Sequence, residues 1–203
     1  MMIMLLLPVQ FAVAEQSPEA MLKQAANQMI DALRAHDSEL REDPKKLYAL
    51  VDELLVPHVD MAVVSRLVLG RYWRTASPEQ RRRFIAEFKA MLIRFYSSAL
   101  LEYADFHFRF YPPRMRKGAH RAVIRSEIMR SGGPPHTVNY SVVLRNGEWK
   151  VYDVTIDGVS VVTTYRSSFA EEIRHAGLDK LLDKMADWNR KGDSPLESGG
   201  TAG

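Results

Sequence analysis

The stretch GEWKVYDVTIDGVSVVTTYRSSF, Gly147–Phe169, decides the fold. Asn146-Gly147 at its front is the favoured dipeptide of a two-residue type I′ hairpin. The chain before it, with Val138, Tyr140, Val142 and Leu144 alternating with Asn139, Ser141 and Val143, is then one strand, and Trp149–Ile156 its antiparallel return. In the return strand Trp149 and Val151 point one way, while Tyr152, Val154 and Ile156 point the other. The apolar face either switches at a bulge or is covered on both sides. Past Asp157-Gly158 the period becomes helical, with Val162, Tyr165, Phe169 and Ile173 on one stripe and Ser160 as the helix start. The stretch carries more apolar surface than one core face needs.

Upstream, Phe106, Phe108 and Phe110 alternate with His107 and Arg109, and AHRAVIRSEIM (Ala119–Met129) follows as a second strand, closed by the turn SGGPP. The first half of the chain is helical. Ser17 caps a helix with Pro18 at its first position and a stripe of Leu22, Ala25, Met29 and Leu33. Asp43-Pro44 repeats the device for Leu47, Leu50, Val51 and Leu54. A short apolar segment, Val63, Val64, Leu67 and Val68, stops at Gly70. Ser77-Pro78-Glu79-Gln80 is a capping box, and from it Phe84, Phe88, Met91, Leu92, Phe95, Tyr96, Ala99 and Tyr103 keep helical spacing for about 26 residues, a rod of roughly 39 Å. After Gly177, which ends the helix begun at Ser160, Leu178, Leu181, Leu182, Met185 and Trp188 define a last helix. Helices, then a strand meander, then closing helices make an α+β fold: a curved antiparallel sheet wrapped on one side by helices.

Of 203 residues, 46% are apolar and 26% charged, with a net charge of +3, which is ordinary for a globular domain and far from the basic load of a nucleic-acid binder. No cysteine is present, which excludes disulfides, thiol catalysis and cysteine zinc sites. Residues 1–14, MMIMLLLPVQFAVA, are apolar and shorter than the ~20 residues of a membrane span. With Ala12-Val13-Ala14 as an A-x-A site they read as a secretory signal ending before Glu15. Nothing basic precedes the run, which suggests a start placed too far downstream and a truncated leader; the alternative is a buried N-terminal helix. Residues 15–190 read as a single domain and 191–203 as a disordered tail.

Reactive constellations are scarce. The six histidines, His36, His58, His107, His120, His136 and His175, are scattered. Only His58-x-Asp60 brings two ligand types close, and two loop ligands do not make a metal site; Asp60 reads as a helix cap. Ser160 lacks the second glycine of a nucleophile elbow and reads as a cap too. No phosphate-cradling glycine loop occurs. Glu171-Glu172 reads as solvated charge. Arg81-Arg82-Arg83 reads as a wet face, with a docking patch as the alternative. Arg114, Arg116 and Lys117 beside Tyr111-Pro112-Pro113 form a second basic cluster, suited to an acidic partner or a lipid phosphate. Surplus apolar faces without a catalytic set lean toward binding an apolar molecule. For such a carrier the physics is favourable: a phospholipid has roughly 30 methylenes, and exposing them to water costs on the order of 20 kcal/mol.

Several motifs occur in order. Pro57-His58-x-Asp60, Val68-Leu69-Gly70-x-x-Trp73 and Ala76-Ser77-Pro78-x-Gln80-Arg81-x-x-Phe84 are followed by Trp149, Tyr152-Asp153 and Gly158-Val159-Ser160, then Tyr165-Arg166, Phe169 and the GLDKL that begins at Gly177. From about residue 20 to 190 the chain resembles the toluene-tolerance family, the MlaC-type periplasmic phospholipid-binding proteins of the Mla lipid-asymmetry system. Thr164 and Val161 depart from the asparagine and leucine commoner at those places. The resemblance implies a four-stranded curved sheet related to the NTF2-like cone, wrapped by about six or seven helices. It implies no enzymatic activity and no cofactor or metal, only bound phospholipid. It further implies a soluble periplasmic monomer that carries lipid between an outer-membrane lipoprotein–porin complex (MlaA-like) and an inner-membrane ABC transporter complex (MlaD-like subunit), without nucleic acid.

On this reading acyl chains lie between sheet and helices. The expected lining is Leu67, Leu69, Tyr72 and Trp73 ahead of the long helix, Phe88, Leu92 and Phe95 on it, and Phe108, Tyr140, Val142, Tyr152 and Val154 from the sheet, with Val159, Val161 and Tyr165 near the mouth. Ordinary core is the competing role for each. Two other readings stay open: a cone-fold enzyme acting on a hydrophobic small molecule, with Asp153 as its lone carboxylate, and a ligand-free envelope adaptor with a solid interior.

Overall fold

The computed structural model describes residues 16–102, 107–113, 115–116, 118–129 and 134–191. The residues read as a leader (1–14) and as a tail (past 191), with Tyr103, Phe106, Arg114, Lys117 and the first three residues of SGGPP, lie outside the described residues. Eight α-helices and five strands are described: α1 Pro18–Ala35, α2 Asp37–Glu42, α3 Pro44–Leu54, α4 Met61–Leu69, α5 Tyr72–Thr75, α6 Pro78–Glu102, β1 His107–Phe110, β2 Arg121–Met129, β3 His136–Arg145, β4 Glu148–Ile156, β5 Val159–Ser160, α7 Val161–Ala176 and α8 Leu178–Lys191.

Local chemistry sets the boundaries. Ser17 Oγ accepts from Ala20 N and Asp43 Oδ1 from Lys45 N, each ahead of a proline at the first helical position. Ser77 and Gln80 close the capping box in both directions: Gln80 N donates to Ser77 Oγ at 3.1 Å and Ser77 N to Gln80 Oε1 at 2.9 Å. Gly70 ends α4 at φ 53°, where an added Cβ would sit 3.1 Å from Arg166 Nε, so both backbone and space call for glycine. Asn146 and Gly147 both take positive φ, as a type I′ turn demands.

The sheet is an antiparallel meander in the order β1-β2-β3-β4-β5. It has five strands, not four, because the chain does not break at Gly158. Asp157 and Gly158 turn it back so that Val159 pairs with Ile156 and Ser160 with Thr155 before α7 starts. The helix count exceeds six or seven through two short elements, α2 and α5, too brief to show a period.

Of the two options for the return strand, the bulge is the one realised. Ser141 pairs with Asp153 but Val142 with Val151, so Tyr152 has no partner in the register. The extra residue brings Trp149, Val151 and Val154 onto the same apolar cluster despite their mismatched parity.

Three apolar clusters fill the interior. One joins α4, α6, α7 and α8 around Phe84, Phe88, Tyr165, Phe169, Leu181 and Met185. A second lays Met21 and Leu22 of α1 on Ile124, Val142, Trp149 and Val151 of the sheet. The third packs Met29 and Leu33 of α1 against Leu40, Leu47 and Val51, with Ile93 and Leu100 of α6 beside them.

Candidate functional site: an apolar cavity between three cores

The three clusters do not close over one another. Where they meet lies a cavity of about 390 Å³, walled almost entirely by apolar atoms. It draws Leu92, Tyr96, Tyr152, Val161 and Val162 from the first cluster or its margin, Leu22, Tyr140, Val151 and Val154 from the second, and Met29, Leu33, Val51, Ile93 and Leu100 from the third. Its volume falls in the ~300–1,000 Å³ range of small-molecule sites. The α6 wall is one stripe, Lys89, Leu92, Ile93, Tyr96, Ser97 and Leu100, running about 16 Å along the axis at 1.5 Å per residue.

Of the residues expected to line such a cavity, the structure brings six together: Leu92, Phe108, Tyr140, Tyr152, Val154 and Val161. Nine lie elsewhere. Phe88, Leu69 and Tyr165 are fully buried within the helical cluster, with Leu67, Tyr72 and Trp73 packed on its margin. Val142 is sealed between sheet and α1, Phe95 stands edge-on to Tyr96, and Val159 is 62% exposed on β5. The reason is visible on α6, which has two apolar stripes. Phe84, Phe88, Met91 and Phe95 form one, and the cavity stripe lies roughly 140° around the axis at 3.6 residues per turn. Leu92, one turn and about 40° from Phe88, stands on the border between the stripes, packing on the helical cluster while it lines the cavity.

Reasoning from the sequence missed the whole contribution of α1, with Leu22, Ala25, Ala26, Met29, Ile30 and Leu33, and that of Val51 in α3 and Leu55 just past its end. A signal was present, since Leu22, Ala25, Met29 and Leu33 form a clean stripe. What the stripe covers is a tertiary fact.

The polar groups on the wall mostly serve the fold. Asp153 Oδ2 accepts from Ser160 Oγ at 2.7 Å and Oδ1 from Val162 N at 3.1 Å, while Ser160 Oγ accepts from Thr163 N at 3.0 Å. Carboxylate and hydroxyl together cap α7, so the residue suggested as a lone catalytic carboxylate has both oxygens engaged. Asp153→Ala should therefore lower stability by about 1–2 kcal/mol, the usual worth of a cap and a charge-assisted bond. Thermal unfolding checks this: an unchanged midpoint would show that Ser160 alone holds the helix start. Ser97 Oγ donates to Ile93 O within α6. Tyr165, deep in the helical cluster, neighbours Tyr96 of the cavity wall; burial first, then the Tyr96 hydroxyl, pushes its phenol well above the ordinary range. Burial likewise raises Tyr96.

Elsewhere, Asp60 caps α4 by accepting from Val63 N at 2.9 Å and pairs with Arg145. Arg81 donates to the Trp73 carbonyl and lies over its ring, and Arg83 pairs with Asp183 of α8, so two of the three consecutive arginines are tied into the fold. Among the described residues no cluster of histidine and carboxylate side chains could hold a metal, and no helix is long and apolar enough to cross a membrane.

Fold and site together define an α+β protein built around a cavity that is apolar on every wall. The cavity's interior, unlike the solid one an adaptor needs, is hollow. The family described as MlaC protein matches residues 23–187, and this chain belongs to the MlaC family. The toluene tolerance protein Ttg2D of Pseudomonas putida is 30% identical over 177 residues, 86% of this chain and 82% of its own. The intermembrane phospholipid transport system binding protein MlaC of Haemophilus influenzae is 29% identical over 177 residues, covering 86% and 83%. A solved phospholipid-binding protein from Ralstonia solanacearum, in complex with a phospholipid, superposes with a TM-score of 0.79 at 28% identity, over 86% of this chain and 97% of that one.

Proposed function

We propose that this protein is a non-enzymatic phospholipid carrier that holds acyl chains in the cavity between α1, α3, α6 and the sheet. The observation that carries the reading is the cavity itself, about 390 Å³ and walled by Leu, Val, Ile, Met and aromatic side chains, in a fold shared with a protein solved with phospholipid. A cavity of 150 Å³ accommodates one benzene, so on the same scale this one holds roughly sixteen carbons, about one acyl chain. Seating both chains of a diacyl lipid calls for the walls to part, and α1 and α3, which cover the cavity from outside the sheet, are the elements to move. We further propose an NTF2-like curl to the sheet and transfer across the periplasm between outer-membrane (MlaA-like) and inner-membrane (MlaD-like) complexes; the Haemophilus relative's name, an intermembrane phospholipid transport system binding protein, supports the transport part of the reading.

Native mass spectrometry of protein purified from cells without added lipid tests this directly. The expected result is a bound mass in the phospholipid range that mild activation releases. Recovery of bare protein that also takes up nothing from phospholipid vesicles would end the carrier reading.

A further inference from the structure

One charged side chain on the cavity wall is held to the fold only by a surface ion pair. Among the described lining residues, Lys89 is the sole cation, and Asp153, the sole carboxylate, is consumed by the α7 cap. Lys89 begins the α6 stripe whose next members, Leu92, Ile93, Tyr96, Ser97 and Leu100, continue along the apolar wall. A cation at one end of a roughly 16 Å apolar track is the complement of an amphiphile with an anionic head. The ammonium stays accessible: Lys89 is 35% exposed, and its one ion pair, Nζ to Asp52 Oδ1 of α3 at 2.8 Å, is with a carboxylate itself 46% exposed. A pair so open to water contributes little to stability, so either partner can be exchanged cheaply.

From this geometry we infer that Lys89 is the headgroup contact of the cavity, binding the phosphodiester of a lipid whose chain lies along α6, with Asp52 as the counter-ion the phosphate replaces. The inference rests on the carrier reading and adds an orientation to it: head at the Lys89 end, chain terminus toward Leu100 and Phe108. Lysine is suited to the task, being a compact point charge on a flexible apolar stem that can line the wall with its methylenes and keep its ammonium in water. It predicts a preference for phosphorylated over neutral lipids of equal chain length. It also predicts opposite effects for the two partners of one ion pair, which a stabilising salt bridge would not give.

The experiment incubates the full chain with vesicles of phosphatidylglycerol that also contain diacylglycerol of the same chains, re-isolates the protein, and measures the ratio of the two lipids recovered. The natural protein should favour the phospholipid. Lys89→Gln should cut that ratio about three- to tenfold, the worth of one half-exposed charge-assisted contact. Lys89→Arg should keep it, and Asp52→Asn should raise it by removing the competing carboxylate. Because both lipids are read from the same sample, a loss of folded protein does not mimic the effect. Diacylglycerol recovered at an unchanged ratio in Lys89→Gln would overturn the headgroup contact and leave the carrier reading standing. No lipid recovered with any form, the natural one included, would overturn both. Inorganic phosphate in the buffer should leave the ratio intact; if it abolishes the preference, the ammonium takes a free anion rather than the seated lipid's head, and the inference fails.

Discussion

Ala26→Trp or Val154→Trp should empty the protein of lipid without unfolding it. Both positions line the cavity, one from α1 and one from β4. An indole directed into about 390 Å³ of apolar space occupies volume that a chain needs and buries ~150–250 Å² of its own surface there. The ligand then loses room along the middle of its track, and each methylene kept out of the cavity forfeits about 0.8 kcal/mol. Exclusion of only two methylenes is thus worth about tenfold in affinity, and loss of most of the bound lipid is the expected outcome. Stability should hold or rise, since filling an empty apolar cavity commonly stabilises. The strand position tolerates an aromatic residue well, and Tyr140 already pairs with Val154 across the sheet. The measurements are co-purified lipid by mass and the thermal midpoint of the same sample. A variant that folds and still carries lipid in the natural amount would place the ligand somewhere other than this cavity.

Much of the architecture was legible because it is written in local chemistry. Ser77 and Gln80 bracket a capping box by identity and spacing alone, and Asn146-Gly147 fixes a turn that permits two antiparallel strands and little else. The bulge at Tyr152 was legible only as an alternative, since a switch of apolar parity is compatible both with a bulge and with two covered faces; pairing to Ser141 and Val142 decides between them. Strand β5 was illegible. Two residues carry no period, and what makes Val159 and Ser160 a strand is the proximity of Ile156 and Thr155.

Six of the fifteen residues expected at the cavity wall line it, and the shortfall has a definite reason. A residue facing a cavity and a residue facing a solid core present the same side chains, so composition cannot separate Leu92 from Phe88. What separates them is about 40° of azimuth on α6 relative to elements far away in sequence: Phe88 is enclosed by α7, while Leu92 packs on that cluster at its margin and borders the cavity. Lys89 shows the converse. A lone lysine in the sequence carries no sign of lining a cavity, and its place on the stripe is readable only once the stripe is known to face one.

Phe88→Ala should be the most destabilising single change in the helical core, by about 3–5 kcal/mol. Phe88 is fully buried, with its ring centroid 5.4 Å from Phe84 in a stacked arrangement, and 5.3 Å and 5.9 Å from Tyr165 and Phe169 in edge-on ones. Truncation removes the transfer free energy of the ring and breaks three aromatic contacts, each worth ~0.5–1.5 kcal/mol beyond the area it buries. The hole cannot relax easily, because its walls come from α6 and α7, and α6 is also pinned to α8 by Gln80–Asp179 and Arg83–Asp183. For a chain of this size about 1 kcal/mol moves the midpoint by roughly 2–4 °C, so a fall on the order of 10 °C is expected. Leu92→Ala, one turn along the same helix, should cost distinctly less, since its side chain borders a space already empty and leaves no new sealed void. The paired melts test the division of α6 into a core face and a cavity face without any ligand. Equal losses for the two variants would mean that Leu92 is packed as tightly as Phe88, and that the spine helix has a single buried face.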